Sequence, residues 1–264
     1  DFTFSPRFYD NNKTIYQGEY RLLTKNSNHI FDASIKNNNL FLNKKKTSES
    51  HFFSKSTINS NFNYFNQAEV NFEIQATSND KYLKLYDLNS PIITSQSTLN
   101  SKINFEASNE SLDLSISAEA FEDLSKPNDS DRYEFILPNF NITKNFKTKF
   151  DGFLTMSNLG YQKLFDTNIN EKVLINNLSY KSFDKITDYG IINSYEIFVK
   201  NFNAESKNSK YLKNKRENDL QGIVQFNSSL PLKKQGFKFS SSLTPIFVAK
   251  YNPYKNKNIK NSSN

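Results

Sequence analysis

Apolar side chains recur at every second position along most of this chain, and no stretch supports a helical period equally well. Val70, Phe72, Ile74 and Ala76 alternate with Glu69, Asn71, Glu73 and Gln75. Leu112, Leu114, Ile116, Ala118 and Ala120 alternate with Ser111, Asp113, Ser115, Ser117 and Glu119. Successive side chains of a strand point to opposite faces, so this period builds strands with one oily and one polar side. The stretch 131–143 adds a second theme. Tyr133, Phe135 and Leu137 share a phase that slips by one at Pro138-Asn139 and resumes with Phe140 and Ile142. Proline has no N–H for a ladder, so it marks a bulge, an edge or a local opening.

The same reading extends over the whole chain. Phe2, Phe4, Pro6 and Phe8 point one way; Tyr16, Gly18, Tyr20 and Leu22 follow, with Gln17, Glu19 and Arg21 opposite. Phe31, Ala33 and Ile35 mark a third strand, and serines make a fourth, at 53–62, the weakest. Leu99, Ile103, Phe105 and Ala107 alternate with Asn100, Lys102, Asn104 and Glu106, and Asn109-Glu110 is a hairpin position. Further strands are expected at 150–156, 174–180 and 195–199, then a polar loop over 203–219. Val224, Phe226 and Leu230 lead to a turn at Lys233-Lys234-Gln235-Gly236, and one long last strand carries Phe237, Phe239, Leu243, Pro245, Phe247, Ala249 and Tyr251 on one face. About 13 strands at roughly 20 residues per strand and loop suit an antiparallel up-and-down array. Connections near residues 26, 64, 109, 146, 190 and 235 are short and those near 44, 85, 128, 168 and 212 longer; the turn at 10–13 breaks the rule. Short turns on one rim and long loops on the other characterise outer-membrane barrels.

Composition bears on which all-β fold this is. Only 36% of residues are hydrophobic and the mean hydropathy is −0.71, yet there are 25 Phe and 14 Tyr. Disordered chains lack such aromatics. A sandwich requires a dense aliphatic core and a wet outer face. Here the apolar face often carries Ala, Ser or Gly, and the other carries Glu, Lys, Asp and Asn. A transmembrane β-barrel places the oily face in lipid and the charged face around a watery lumen, with aromatics at the interfaces. On this reading 1–264 is part of one barrel domain. Val70, Phe72, Ile74, Leu112, Leu114, Ile116 and Phe239 face lipid. Arg7, Glu19, Arg21, Glu69, Glu73, Lys102, Glu106, Asp113 and Glu119 face the lumen. About 13 strands leave two free edges, with the Pro6 strand at one and the 237–251 strand near the other.

Several other chemistries find no support. The chain has no cysteine, so no disulfide or thiolate metal site is possible, and His29 and His51 are its only histidines. No apolar run is long enough for a transmembrane helix. Residue 1 is Asp and Met156 is internal, so a piece of a longer chain is expected, its targeting segment elsewhere. The net charge of +7 comes from scattered residues, with short concentrations at Lys44–Lys46, Lys213–Arg216 and Lys255–Lys260. These read as solvated loops and not as a nucleic-acid surface. Asp166-Thr167-Asn168-Ile169-Asn170 opens like a calcium loop but lacks the glycine at the sixth position and has Asn177 where a glutamate is needed. Glu69 and Glu73 read as solvated charges and not as an acid–base pair, and no Gly-x-Ser-x-Gly elbow is present. No enzyme and no cofactor is expected.

Phe2-Thr3-Phe4-Ser5-Pro6-Arg7-Phe8-Tyr9 and Gly18-Glu19-Tyr20-Arg21-Leu22-Leu23-Thr24 resemble, in residues and in spacing, the early barrel strands of the LptD family of lipopolysaccharide-assembly outer-membrane proteins. Phe52-Phe53, Ser78-Asn79-Asp80-Lys81-Tyr82-Leu83, Asp131-Arg132-Tyr133 with Leu137-Pro138, and Leu243-Thr244-Pro245 followed by Tyr251-Asn252-Pro253 also look like family positions. The resemblance covers nearly the whole chain but only part of the family's architecture. The periplasmic domain, the first barrel strand, the closing strands and the cysteines that tie domain to barrel in many members lie outside it.

The resemblance implies an outer-membrane translocation device. It implies lipopolysaccharide as cargo, an LptA-like periplasmic bridge protein, an LptE-like lipoprotein plug in the lumen, and sideways release into the outer leaflet. Pro6 matches a family proline that weakens pairing beside the seam of first and last strands. The residues by themselves also suit a generic outer-membrane pore or a soluble β-rich surface or adhesion module.

Overall fold

The computed structural model describes residues 1–9, 13–38, 49–127, 131–165, 168–237 and 239–254. In chain order the elements are β1 (Phe2–Tyr9), β2 (Lys13–Leu23), β3 (Ser27–Asn38), β4 (Glu49–Asn59), β5 (Gln67–Thr77), a single helical turn α1 (Tyr82–Leu85), β6 (Thr98–Ser108), β7 (Leu112–Asp123), β8 (Tyr133–Lys147), β9 (Gly152–Phe165), β10 (Ile169–Ser182), β11 (Lys185–Ile186), β12 (Ile192–Lys207), β13 (Arg216–Ser229), β14 (Leu232–Gln235), β15 (Ser240–Leu243) and β16 (Ile246–Tyr251). The main sheet follows chain order from β1 to β10, then β12, β13 and β16; β11 pairs with β12, and β14 and β15 form a separate ribbon. The protein is therefore all-β, with an antiparallel up-and-down sheet that does not close. β1 and β16 are its two ends, as expected for the strand of Pro6 and for the last strand.

The chain divides into two compact units. One comprises Asp1–Glu110, Leu114–Phe140 and Tyr161–Asn170; the other comprises Ser111–Asp113, Asn141–Gly160 and Glu171–Asn264. In the first, the register from β1 to β6 sorts the side chains. Tyr16 pairs with Ile35, Tyr20 with Phe31, Ala33 with Phe52, Ile58 with Val70, Val70 with Phe105 and Phe72 with Ile103. These fall on one face, where Phe4, Tyr16, Tyr20, Ile35, Phe52, Phe72 and Ile103 are all exposed. The alternate positions form the other face, which includes Gln17, Asp32, Ser34, Lys36, His51, Glu73 and Gln75, all buried. The usual soluble arrangement is inverted: oily residues lie bare and polar ones are covered.

The cover is the connection between β5 and β6, residues 78–97. Its Tyr82, Leu83, Tyr86, Leu88 and Ile92 join Ile15, Phe53, Leu99 and Leu124 in one buried cluster. Full burial of a side chain of this size contributes roughly 1.5–3 kcal/mol, so a few such residues suffice to hold the connection against the polar face. Leu99 belongs to this cluster and not to the bare face with Ile103 and Phe105, because the β5–β6 register ends at Glu73–Lys102. Beyond that rung, Gln75 uses both backbone and side chain on Ser101 and Asn100.

In the second unit, Tyr195 pairs with Phe226 and Ile197 with Val224, and Val224 and Phe226 pair in turn with Tyr251 and Ala249. Tyr195, Ile197, Val224 and Tyr251 are exposed, whereas Ser194, Glu217 and Asp219 on the alternate positions are buried. The polar loop expected over 203–219 is shorter. β12 continues to Lys207 and β13 starts at Arg216, with Asn203 paired to Asn218 and Glu205 to Arg216. Ladder bonds are made by the backbone whatever the side chains, so a polar stretch extends a sheet when one face accepts polar groups.

The C-terminal strand departs most from expectation. The β14–β15 ladder runs through Gln235–Ser240, so Lys233–Gln235 are strand and not turn, and Phe237 and Phe239 lie outside strands. The 237–251 strand is split into β15, which pairs with β14, and β16, which pairs with β13. Pro231 and Pro245 stand at the interruption and supply no N–H. Phe239 is thus on no sheet face, which corrects its assignment to the lipid-facing set. By contrast β8 runs unbroken through Pro138, and its Leu137-Pro138 bond is cis. The β4 strand begins at Glu49 and stops at Asn59, short of Phe62.

Candidate functional site

The covered face holds a continuous polar network. Ser34 and His51 are opposite each other in the β3–β4 register, and Ser34 Oγ lies 2.7 Å from His51 Nδ1. Ser34 Oγ also lies 2.8 Å from the Tyr82 hydroxyl on α1. His51 Nε2 is 3.3 Å from Asp32 Oδ1, and its ring stacks on Phe53 with centroids 4.4 Å apart. Gln17 Nε2 donates to both Asp32 oxygens and to the carbonyl of Asn89 in the connection. Burial of the phenol raises the pKa of Tyr82, so it stays protonated and able to donate. A serine, a histidine and an aspartate meet here without a Gly-x-Ser-x-Gly elbow. They are sealed beneath Tyr82 and Leu83, with Ser34 held between two partners, and what they do in this geometry is fasten the connection to the strands.

Three more contacts hold the connection. Lys36 Nζ reaches Glu49 at 2.6 Å and sits 4.8 Å from the Tyr86 ring centre. Arg7 donates to the carbonyls of Tyr86 and Asp87 at 3.3 and 3.0 Å, and the Tyr9 hydroxyl donates to Tyr86 at 3.3 Å. Arg132 forks onto Asp80 at 2.8 and 2.6 Å and onto Glu122 at 2.9 and 2.6 Å, and also donates to the Lys126 carbonyl. The guanidinium holds the Asp80 carboxyl below its ordinary 3.8, and the carboxylates in return push Arg132 further up. Such bidentate pairs carry geometric specificity as well as energy.

The residues expected at the lumen are spread over several strands. Arg7, Glu19, Arg21, Glu69, Glu73, Lys102 and Glu106 all share the face opposite Tyr16, Phe72 and Ile103. Glu73 is buried, lies between Lys55 and Lys102 across the strands, and accepts from Gln75 at 2.6 Å. Glu69 stands directly opposite Glu106, an unfavourable like-charge pairing. Asn71 and Asn104 each donate to one of them, at 2.5 and 2.8 Å. Arg21 pairs with its neighbour Glu19 at the exposed end of β2. On β7, alternation separates Leu112, Leu114 and Ile116 from Asp113 and Glu119, and Ser117 donates to Glu119 at 3.2 Å. Of these, Arg7 hydrogen-bonds to the connection. Asp166 and Thr167 of the calcium-like stretch, Lys44–Lys46 and Lys255–Lys260 lie outside the described residues; among the described residues no cluster of metal-ligating side chains occurs.

Pro6 lies at the open end of the sheet, and its orientation follows from the ladder. Asp1 N donates to Arg21 O at 2.9 Å, and Arg21 N donates to Asp1 O at 2.8 Å, so this is a hydrogen-bonded pair. Bonded and non-bonded pairs alternate in an antiparallel ladder. With Pro6 opposite Tyr16, residues 2, 4, 6 and 8 are non-bonded and direct their backbone groups away from β2. The edge thus offers N–H groups at Phe2, Phe4 and Phe8 and none at Pro6. The β1–β2 ladder itself loses nothing to the proline.

No protein-family model and no curated sequence matches the chain.

Proposed function

We infer that this chain forms the early strands of an outer-membrane β-barrel that delivers lipopolysaccharide to the outer leaflet through a lateral opening. The observation that carries the reading is the inversion of the sheet, with Phe4, Tyr16, Phe52, Phe72 and Ile103 bare while Asp32, His51, Glu73 and Gln75 are covered. In water such a face would be a large aggregation-prone patch, whereas in a bilayer it is the face that lipid solvates. The cargo comes from the family resemblance, and the open edge with its missing donor at Pro6 supports it, since a ladder built there lacks one rung. The proposed partners are an LptE-like plug against the polar face and an LptA-like bridge through a separate domain.

Depletion of the full-length protein from cells tests this directly. Surface lipopolysaccharide should fall while newly made lipopolysaccharide accumulates inside. A plain pore would instead reduce uptake of small solutes and leave surface lipopolysaccharide intact, and that result would remove the translocation reading.

A further inference from the structure

The β14–β15 ribbon is a feature that the translocation reading does not use. The β12–β13 ladder has its last rung at Ile192–Ser229, and the β13–β16 ladder ends at Ser229–Ile246. The ribbon continues beyond both. Leu230 N donates to Pro245 O at 3.1 Å, and Leu232 pairs with Leu243 in the register already set by Ser229 and Ile246. Pro231 and Pro245 interrupt the hairpin on adjacent rungs, and a bond from Gly236 N to Phe239 O at 2.9 Å closes its tip. Every residue of β14 and β15 is exposed, and the tip presents Phe237 fully and Phe239 at 80%.

The charge of this region is one-sided. From Leu220 to Asn264 the chain has seven lysines and no aspartate or glutamate, and Lys233 and Lys234 stand on adjacent rungs just below the tip. Two bare phenyl rings beside uncompensated ammonium groups match a membrane surface with anionic headgroups. The rings enter the boundary between headgroup and acyl chain while the lysines remain level with the phosphates. We propose that the hairpin from Leu232 to Leu243 is an interfacial anchor that binds anionic phospholipid headgroups through Lys233 and Lys234 and inserts Phe237 and Phe239. It rests on the membrane reading of the main sheet, because that sheet brings the hairpin to the bilayer surface.

The absence of cysteine makes single-site labelling clean. The full chain carrying Phe237→Cys with an environment-sensitive fluorophore is incorporated into bilayers of phosphatidylcholine, or of phosphatidylcholine with phosphatidylglycerol. The label should shift to the blue and be quenched by headgroup-level nitroxide lipids only in the anionic bilayer. Each of Lys233→Gln and Lys234→Gln should lower that partitioning about fivefold, and salt should do the same. A label at Phe72→Cys reports the sheet separately. Lipid contact at position 72 with an aqueous signal at 237 in both bilayers overturns the anchor alone. Immersion at 237 that ignores lipid charge and both lysines also overturns it. An aqueous signal at both positions overturns the membrane reading itself.

Discussion

Replacing Pro6 with alanine changes the sheet at a single rung. Position 6 turns its backbone nitrogen away from β2, so the β1–β2 ladder keeps its bonds and the described sheet should fold as before. The added N–H serves only a strand that pairs with β1 from the open side. One such bond has a net worth of about 0.5–1.5 kcal/mol, which shifts an opening equilibrium by roughly two- to tenfold toward closed. On the proposed reading, the expected phenotype of full-length protein carrying Pro6→Ala as the only copy is partial loss of lipid export. Surface lipopolysaccharide should decline and cells should admit large hydrophobic antibiotics, with normal amounts of protein in the outer membrane. The family resemblance implies a second proline on the strand across the seam, which would mask part of the effect of a single change, so the decisive protein carries both replacements. If the doubly replaced protein leaves permeability and surface lipopolysaccharide unchanged, Pro6 has no part in opening.

Three other expectations follow from the geometry. Phe72→Arg on the bare face should destabilise the protein by about 2–4 kcal/mol in a bilayer if the site lies near the midplane, read from urea unfolding in lipid vesicles, while a change below about 0.5 kcal/mol would mean the face meets water. Tyr82→Phe removes one partner of Ser34 and should cost about 1 kcal/mol, whereas Ser34→Ala leaves both His51 and Tyr82 short of a partner and should cost more; amide exchange at Tyr86 and Leu88 in the connection measures both. Asp80 titrates below its ordinary 3.8 when folded because of Arg132, so its contribution is complete above that value and is lost as pH falls through the folded pKa; protection of the same amides, relative to the free-peptide exchange rate at each pH, should fall on acidification, and Asp80→Asn should remove that component while acting as the acid form already at neutral pH.

How much of this was legible depended on whether the cause was local. Val70, Phe72 and Ile74 against Glu69 and Glu73 declare a strand and its faces within seven residues, and the structure keeps that sorting. The ends of β12 and β13 do not declare themselves, because Asn203, Asn218 and Asp219 carry polar side chains on rungs that the backbone makes anyway. The fastening of the connection was hidden for a different reason. Ser34 and His51 are 17 residues apart and Asp80 and Arg132 are 52 apart, so each pair exists only once the register is set. A single turn of helix such as α1 is too short to show a period. The final strand is split because Pro231 and Pro245, each tolerable at an edge, stand on adjacent rungs of one hairpin.

The bare face also governs how a sequence like this can drift. Side chains in a close-packed interior must interlock with fixed neighbours, so each exchange there is tested for shape. On the proposed reading, Phe4, Tyr20, Phe52 and Phe72 meet a fluid that flows around whatever contour they present. Tyrosine, isoleucine or leucine would serve at such positions almost equally well, provided the alternation is kept. Interlocking is demanded mainly around Ile15, Phe53, Tyr82, Leu83 and Leu88, where the connection meets the strands. Descent in such a protein would be recorded less in the letters of its longest strands than in the few residues that seat one loop.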